Sequence, residues 1–256
     1  MSVRLDGVRH VYGGGRRPEV EALGPIDLEI GPGEFVAVVG PSGCGKSTLL
    51  SLLAGFQRPT AGTVGVAGAD VRGPGPDRGV VFQHPNLYPW LSVRDNVAFG
   101  LRMRGVGKQA RHAAADAQLA RVGLAEFADA RPYELSGGMQ QRCQIARMLA
   151  SEPAIMLLDE PFGALDALTR EQMQAELHGI WRESGRTALF ITHSVEEAAF
   201  LGTRVLVMSE RPGRIVLDEP VPAPAVRTAA LRTDPEFVAF RERVADRVRV
   251  RPRAAA

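Results

Sequence analysis

Residues 40–48 read Gly-Pro-Ser-Gly-Cys-Gly-Lys-Ser-Thr and stand between an apolar run at 35–39 and a helix-like apolar segment at 49–53. A buried strand, a glycine-rich loop ending in lysine and a hydroxyl residue, and then a helix is the order that a phosphate-binding loop requires. Glycines let backbone N–H groups close around phosphate oxygens, and the helix N-terminus adds partial positive charge. The members of this predicted phosphate loop are Gly40, Pro41, Ser42, Gly43, Cys44, Gly45, Lys46, Ser47 and Thr48.

Lys46 and Ser47 carry the chemistry expected of such a loop. Lys46 would reach the β- and γ-phosphates of a nucleotide, and the Ser47 hydroxyl would hold Mg²⁺. The alternative interpretation is a glycine-rich turn with a solvated lysine. Every spacing element of the phosphate loop is present, however, and the chain has only one other lysine, Lys108. We therefore predict that Lys46 is functional.

The composition limits the classes of partner. With 256 residues, 45% of them hydrophobic, the chain can form one large α/β core or a core with a small subdomain. Its 31 basic and 29 acidic residues give no broad basic field, so we expect no nucleic-acid partner. Cys44 and Cys143 form neither a disulfide framework nor a metal cluster, which fits a reducing cytoplasm. Four arginines near the end are more typical of a solvated terminus than of a lipid contact: Arg247, Arg249, Arg251 and Arg253.

No segment resembles a secretion signal or a membrane span. Residues 1–17 carry charges and glycines throughout, and no apolar run approaches the length of a spanning helix. If the protein works at a membrane, a partner must hold it there.

The spacing of apolar residues predicts alternating strands and helices. Strands are predicted at 3–11, with a break at the glycines 13–15, and at 26–30, 35–39, 64–66, 80–82, 155–158, 188–192 and 205–208. Helices are predicted from the phosphate loop to about residue 54 and from residue 195. This alternation indicates a mainly parallel sheet with helices on both faces. The short strand at 64–66 lies among glycines and is expected to be antiparallel, in a small β subdomain.

The chain divides into three predicted parts. Residues 1–88 and 154–226 form a discontinuous α/β core, and the helical spacing at 89–153 indicates an inserted helical subdomain. Residues 227–256 are a helical appendage, because Asp234 is a good N-cap and proline follows it. An apolar stripe on this last helix predicts a docking face on the core: Phe237, Phe240, Val244 and Val248.

Asp159 and Glu160 end a predicted apolar strand about a hundred residues after the phosphate loop. Ligands of parallel sheets bind beyond the carboxyl ends of the strands. There Asp159 would hold Mg²⁺ through water, and Glu160 would orient and deprotonate an attacking water. An Asp-Glu pair alone is usually a strand-end turn, and the phosphate loop is what makes the functional interpretation the stronger one.

Residues 135–139 read Leu-Ser-Gly-Gly-Met and precede a predicted helix capped by Ser136. This is either an ordinary capped helix or a second anion site. A symmetric dimer explains why one nucleotide needs both sites, because each protomer then supplies the phosphate loop of one site and this motif of the other. ATP would be sandwiched between the two protomers.

Together these motifs make the chain resemble the ATP-binding-cassette (ABC) ATPases, the nucleotide-binding subunits of transporters. The resemblance covers nearly the whole chain, in family order and spacing, and implies a RecA-like P-loop core that binds ATP and Mg²⁺ and hydrolyses ATP. The family signature corresponds to Leu135, Ser136, Gly137, Gly138 and Met139, where methionine replaces the usual glutamine.

The resemblance assigns four further roles. Gln83 matches the Q-loop glutamine, which senses Mg²⁺ and the attacking water, and Asp166 matches the D-loop. His193 matches the switch histidine that contacts the γ-phosphate, and Tyr12 matches the aromatic residue that stacks on adenine. Without the family match, Tyr12 would be an ordinary half-buried strand residue and His193 a polar strand-end residue. The implied catalytic set is Glu160, His193, Gln83 and Lys46, and the implied Mg²⁺ set is Ser47, Gln83 and Asp159.

Within the family, three stretches are similar to subunits of taurine, sulfonate and nitrate importers, with the taurine type closest. They are residues 79–100, 160–173 and 234–237. The resemblance implies an ATP-dependent homodimer held at the cytoplasmic face of the bacterial inner membrane by two permease subunits, with a periplasmic or lipid-anchored binding protein as indirect partner. Trp90, which follows the Q-loop, would be either a core residue or part of the groove for a permease helix.

Several alternatives remain open at this point. The cargo could be taurine or another sulfonate, nitrate, bicarbonate or another small nutrient. A soluble ABC ATPase of translation or repair usually has two cassettes or a coiled-coil insertion, neither of which is visible. A regulatory cassette would have lost Lys46, Glu160 or His193. A P-loop kinase would lack the motif at 135–139.

Overall fold

The computed structural model describes residues 1–15 and 17–249. Within them the strands are β1 (Val3–Gly14), β2 (Arg17–Ile30), β3 (Phe35–Val39), β4 (Ala61–Val66), β5 (Ala69–Asp70), β6 (Arg78–Val81), β7 (Ile155–Asp159), β8 (Thr187–Ile191), β9 (Arg204–Met208) and β10 (Ile215–Pro220). The helices there are α1 (Lys46–Ala54), α2 (Val93–Val97), α3 (Phe99–Met103), α4 (Lys108–Arg121), α5 (Gly137–Ala150), α6 (Ala167–Ser184), α7 (Val195–Leu201) and α8 (Pro235–Arg249). Two compact units result: the first comprises Met1–Gly75 and the described residues from Trp181 on, and the second is Pro76–Ile180.

The first unit contains an antiparallel sheet in the order β2-β1-β4-β5. Val3, Leu5 and Val8 are buried on one face of β1, which explains why the start of this strand is visible in the sequence. β1 ends at Gly14 and Gly15 is a turn, so the strand breaks within the predicted run of glycines, although it extends beyond the predicted residue 11. The φ angles of Gly13 and Gly14, 95° and 104°, are accessible to glycine and let the chain turn there.

The same unit contains the hydrophobic core around β3. All five residues of Phe35–Val39 are buried, and β3 pairs in parallel with β8 on one side and β9 on the other. β10 adds an antiparallel strand to β9. A strand buried on both faces is expected to be continuously apolar. The burial of all five residues therefore confirms that the apolar run at 35–39 is a buried strand. The carboxyl ends of β3 and β8 therefore lie at the same edge.

The second unit combines one parallel strand pair with helices. β6 pairs in parallel with β7, and α2, α3, α4 and α5 occupy the stretch whose spacing predicted helices. The predicted cap of α5 is confirmed, since the Ser136 side chain accepts a hydrogen bond from the backbone N–H of Met139 at 3.3 Å.

The C-terminal helix α8 packs against α7 in the first unit. Asp234 Oδ1 accepts the backbone N–H groups of Glu236 and Phe237, each at 3.0 Å, which confirms the predicted N-cap. Three side chains of the predicted apolar stripe have no exposed surface, namely Phe237, Phe240 and Val244. The fourth, Val248, is half-buried. Residues 250–256 of the predicted appendage, with Arg251 and Arg253, lie outside the described residues.

Within residues 1–15 and 17–249, no helix is both long enough and apolar enough to serve as a membrane span.

Candidate functional site

The phosphate loop connects β3 to α1 in the first unit. Gly45 is the N-cap of α1 with a φ of 104°, and a Cβ at this position would lie 2.6 Å from Leu23 Cδ2. Both the backbone conformation and the space therefore require glycine here. Ser42, Gly43 and Ser47 are exposed. The first N–H groups of a helix lack partners within it, so this open turn can bind an anion.

The Lys46 ammonium group is held inside the loop. Its side chain is buried, and Nζ donates to the carbonyl oxygens of Gly40 at 2.7 Å and Pro41 at 3.0 Å. Cys44 Sγ lies 3.8 Å from the same nitrogen, and burial raises the pKa of the Cys44 thiol while the positive charge of Lys46 opposes that rise. The lysine charge is thus placed where the loop would surround a phosphate.

His193 follows β8, the parallel neighbour of β3 in the first unit. Thr192 is buried, and its Oγ1 donates to Glu197 Oε2 and accepts from the backbone N–H of Ser194. Ser194 Oγ in turn accepts from the Glu197 N–H. These bonds fix the turn on both sides of His193, whose side chain is exposed. The structure therefore presents the histidine at the strand end that the sequence predicted.

Tyr12 lies on β1 and is 39% exposed. Its hydroxyl group lies 3.2 Å from Thr48 Oγ1 of the phosphate loop and donates to Gln57 Oε1 at 2.9 Å. The ring packs edge-on against His10, with 4.5 Å between centroids. Tyr12 is thus attached to the start of α1, and part of its ring surface remains open for stacking.

Three predicted site residues converge in the second unit. Asp159 is the last residue of β7, Glu160 follows it, and Gln83 comes soon after the end of the parallel neighbour β6. Gln83 Nε2 donates to Glu160 Oε2 at 3.1 Å, and Asp159 is buried. Glu160 has a φ of 46°, a conformation that costs a non-glycine residue about 1–3 kcal/mol. The backbone there turns the Glu160 carboxylate toward the Gln83 amide.

The signature motif forms the N-terminus of α5 in the second unit. Leu135 is buried, whereas Ser136 and Gly137 are exposed. A Cβ on Gly138 would lie 3.2 Å from Leu165 Cδ2, so the small residue lets the motif pack closely against the segment before α6. An exposed serine and backbone N–H groups at a helix start suit a phosphate that another molecule brings.

Asp166 lies on the same segment, just before α6. Its Oδ1 accepts the Thr169 backbone N–H at 3.0 Å, and this bond lowers the pKa of the exposed Asp166 carboxyl group. The side chain therefore stabilises the start of α6 and remains accessible.

The donor atoms fit the predicted nucleotide and metal. Backbone N–H groups and an ammonium group suit phosphates. The hydroxyl of Ser47 in the first unit, and the oxygens of Gln83 and Asp159 in the second, are each of a type that a hard cation such as Mg²⁺ prefers. Among residues 1–15 and 17–249, no three or more His, Cys, Asp or Glu side chains group into a metal cage. Mg²⁺ does not need such a cage, since it is usually bound by one or two carboxylates together with substrate phosphates.

A cavity of about 530 Å³ opens in the second unit, and apolar side chains contribute much of its lining. Tyr88, Phe99 and Met103 line it, whereas Trp90 is not one of its lining residues. Trp90 is 70% exposed and lies 5.6 Å from the Tyr88 ring, so it is not a core residue. In the sequence, Trp90 pointed to this neighbourhood but Tyr88 was not assigned to it, although Tyr88 stands two residues before Trp90.

Comparisons with known proteins agree with these features. Residues 23–163 match the protein-family model described as ABC transporter. The chain is 59% identical over 201 residues to the taurine import ATP-binding protein TauB of Burkholderia pseudomallei, covering 78% of this chain and 77% of that protein. It is 50% identical over 248 residues to TauB of Chromobacterium violaceum, with coverages of 95% and 94%. It is also 48% identical over 243 residues to the nitrate import ATP-binding protein NrtD of a Synechocystis species, with coverages of 93% and 91%.

Solved structures resemble the chain over most of its length. One is a dimeric ATP-binding cassette in a post-hydrolysis state, bound to ADP and Pi, with a TM-score of 0.79 and 33% identity. A dimeric bacterial ABC transporter cassette has a TM-score of 0.80 and 33% identity. Each match covers 87% of this chain and 100% of the other. The predicted α/β P-loop fold is confirmed.

Proposed function

The chain belongs to the ABC transporter family and is an ABC ATPase, and from this premise we propose that it energises the import of a small anionic or zwitterionic solute. ATP hydrolysis is the energy source in this proposal, and the observation that supports it is the Gln83–Glu160 hydrogen bond of 3.1 Å at the carboxyl ends of two neighbouring parallel strands. It pairs a carboxylate that can accept a proton with an amide that can orient water.

Each site residue then has one task in ATP hydrolysis. Glu160 accepts a proton from the attacking water, and Gln83 orients that water. Lys46 neutralises charge on the β- and γ-phosphates, and His193 contacts the γ-phosphate. Mg²⁺, when held by Ser47, Gln83 and, through water, Asp159, neutralises charge that develops on the phosphate oxygens.

Two copies of the chain are proposed to close around two ATP molecules. Ser136 and Gly137 are exposed at the start of α5. An anion site that faces solvent in this way can bind the phosphates of a nucleotide held by a partner chain. Both similar solved cassettes are dimers. In a two-fold dimer both protomers use the same surface, and every contact occurs twice. If the phosphate loop of one copy faces the signature motif of the other, the dimer therefore has two equivalent nucleotide sites.

The membrane partner is proposed to be a pair of permease subunits at the cytoplasmic face of the inner membrane. The cavity lined by Tyr88, Phe99 and Met103 is apolar, and Arg104 and Arg147 also line it. An apolar centre with polar surroundings suits a helix from another protein. ATP-driven closure would then move the permease, and hydrolysis would reset it.

Taurine or another sulfonate is the cargo that we favour. The support is the 59% and 50% identity to two taurine import proteins. Nitrate is the second candidate, because the nitrate import protein is 48% identical over 93% of this chain. Uptake of labelled taurine and nitrate by vesicles that contain the complete transporter separates the two, and transport of neither contradicts both cargoes.

The test of the ATPase proposal is the Glu160→Gln variant. Because the amide keeps the shape of the side chain but accepts protons poorly, we expect ATP to be bound and hydrolysis to stop. Size-exclusion chromatography with MgATP should show a stable dimer, and phosphate release should be absent. Glu171→Gln makes the same chemical change at an exposed position of α6 and serves as control. Phosphate release by Glu160→Gln at the control's rate would show that Glu160 is not the base.

A further inference from the structure

Two buried glutamines of α5 bind the same backbone carbonyl oxygen. Gln141 and Gln144 have no exposed surface, and their Nε2 atoms donate to the oxygen of Phe82 at 3.2 Å and 2.7 Å. Residues three apart on a helix lie on the same face, so both amides can reach one acceptor. Phe82 directly precedes Gln83. The backbone that carries the Q-loop glutamine is thus anchored to the helix that begins at the signature motif.

The anchoring continues along residues 82–88, which we call the Q-segment. Gln144 Oε1 accepts the Asn86 N–H at 3.2 Å, and Arg147 donates to the Asn86 carbonyl oxygen at 2.7 Å. The Arg147 guanidinium group also lies 5.5 Å from the centroid of the Tyr88 ring. Burial lowers the pKa of Arg147. The α5 side chains at positions 141, 144 and 147 therefore contact the Q-segment at its start, its middle and its end, at residues 82, 86 and 88.

Near its start, the Q-segment makes a contact that needs positional accuracy. Gln83 is an exposed side chain with several rotatable bonds, yet its amide bonds Glu160 at 3.1 Å. A long exposed side chain loses conformational entropy when it is held in one geometry. Fixing the Phe82 carbonyl limits the positions from which Gln83 can reach the carboxylate. The Gln141 and Gln144 amides are fully buried, so leaving their N–H groups without a partner would be costly, which favours the anchored arrangement.

We propose that Gln141 and Gln144 are positioning residues for ATP hydrolysis, which hold Gln83 against Glu160 through the Phe82 carbonyl group. The inference rests on the proposed role of Gln83 and Glu160 in hydrolysis. Because the same helix starts at Ser136, a displacement of the signature end of α5 is transmitted to the Gln83–Glu160 contact.

A double-mutant cycle tests this on the full chain. Gln144→Met keeps the length of the side chain and removes its hydrogen bonds. We expect kcat for ATP hydrolysis to fall by about 10- to 100-fold, because a small misplacement of a catalytic group can cost that much. The Kd for ATP should stay within about twofold, since no phosphate-loop residue changes. In a Gln83→Ala background the same substitution should change kcat less than about twofold, because its effect acts through Gln83.

Arg142→Gln is the matched control. Arg142 also lies on α5 and donates to a backbone carbonyl oxygen, but to that of Val122 at 2.9 Å and not to the Q-segment. Its effect on kcat, whatever its size, should be the same with and without Gln83. If Gln144→Met does not fold, Gln141→Met enters the cycle instead, because it leaves both Gln144 bonds in place.

Two results would overturn the inference. One is an unchanged kcat in the folded Gln144→Met variant. The other is the same loss of kcat with and without Gln83, which would make Gln144 a packing residue only. A failure of the proposed function is distinguishable from both, because the unsubstituted chain would then release no phosphate from MgATP.

Discussion

At the scale of single residues, Lys46 has the most defined environment of the phosphate loop. Its Nζ already bonds two loop carbonyl oxygens, so the ammonium group is in place before a nucleotide arrives. We expect Lys46→Ala to weaken ATP binding by about 1.5–3 kcal/mol, more than tenfold in Kd, because a charge-assisted contact is lost. Calorimetric titration with ATP measures this.

Lys108→Ala is the natural control, since Lys108 is the only other lysine and is exposed at the start of α4. Its Kd for ATP should equal that of the unsubstituted chain. An unchanged affinity in a folded Lys46→Ala variant would remove Lys46 from the site.

The arrangement of the site residues was predictable where the contact is local. The glycines, lysine and hydroxyl of the phosphate loop are adjacent in the chain, so the sequence displays their geometry directly. The anchoring of Phe82 by Gln144 is different, because the two residues are 62 positions apart. A glutamine within a helix is usually a solvated residue, and only the folded structure shows that this one is buried and bonded.

At the scale of elements, α8 is held by its buried aromatic residues. Phe237 and Phe240 have no exposed surface, and α8 packs on α7, the helix that follows His193. We expect Phe240→Ala to lower the free energy of unfolding by about 3–5 kcal/mol, because the truncation leaves a cavity. Urea denaturation followed by circular dichroism measures the change.

The same helix supplies the comparison. Glu242 is exposed, and its substitution by alanine should change the free energy of unfolding by no more than about 0.5 kcal/mol. Equal effects of the two substitutions would mean that α8 does not contribute its buried face to the stability of the fold.

The two-residue strand β5 and two longer elements, α6 and β10, were missed by the sequence analysis, and the last two were missed for physical reasons. The buried face of α6 includes Gln174 and His178, so its apolar period is interrupted by polar residues. The strand β10 contains Asp218 and Glu219 and pairs with β9. Asp218 accepts two hydrogen bonds from Arg204, so an ion pair stabilises a strand that looks like a polar loop in sequence.

At the scale of the whole molecule, the cavity of the second unit predicts where a permease binds. Met103 lines this cavity and is 62% exposed. Met103→Glu should weaken assembly with the permease subunits and lower uptake, because a charge would be buried against an apolar partner. The ATPase rate of the isolated chain should stay unchanged. Pull-down of the complex and vesicle uptake are the measurements.

Val226→Glu is the control, because it places the same charge at another exposed apolar residue. Val226 is 55% exposed, belongs to the first unit and does not line the cavity. It should assemble and transport normally. Normal uptake by Met103→Glu would exclude this cavity as the coupling surface.

The proposed sharing of each nucleotide site between two copies makes the sharpest prediction about the assembly. Ser136→Arg should spare ATP binding to a single chain but prevent closure, because the serine would contact the partner's nucleotide. Lys46→Ala damages the other half of the site. A mixed dimer of the two variants has one site with both Lys46 and Ser136 intact, while the opposite site has lost both.

Mixing the two inactive variants should therefore restore one occupied site per dimer. We expect about one ATP held in a closed site per mixed dimer and none in either homodimer, because Ser136→Arg chains bind ATP only in an open site that releases it during rapid filtration with labelled nucleotide. Both variants also carry Glu160→Gln, so that bound ATP is not hydrolysed and the count does not depend on whether hydrolysis needs one site or both. Mixed dimers that are demonstrated by mass spectrometry but retain no ATP would show that each chain binds its nucleotide alone, and Ser136 would then have no role in trans.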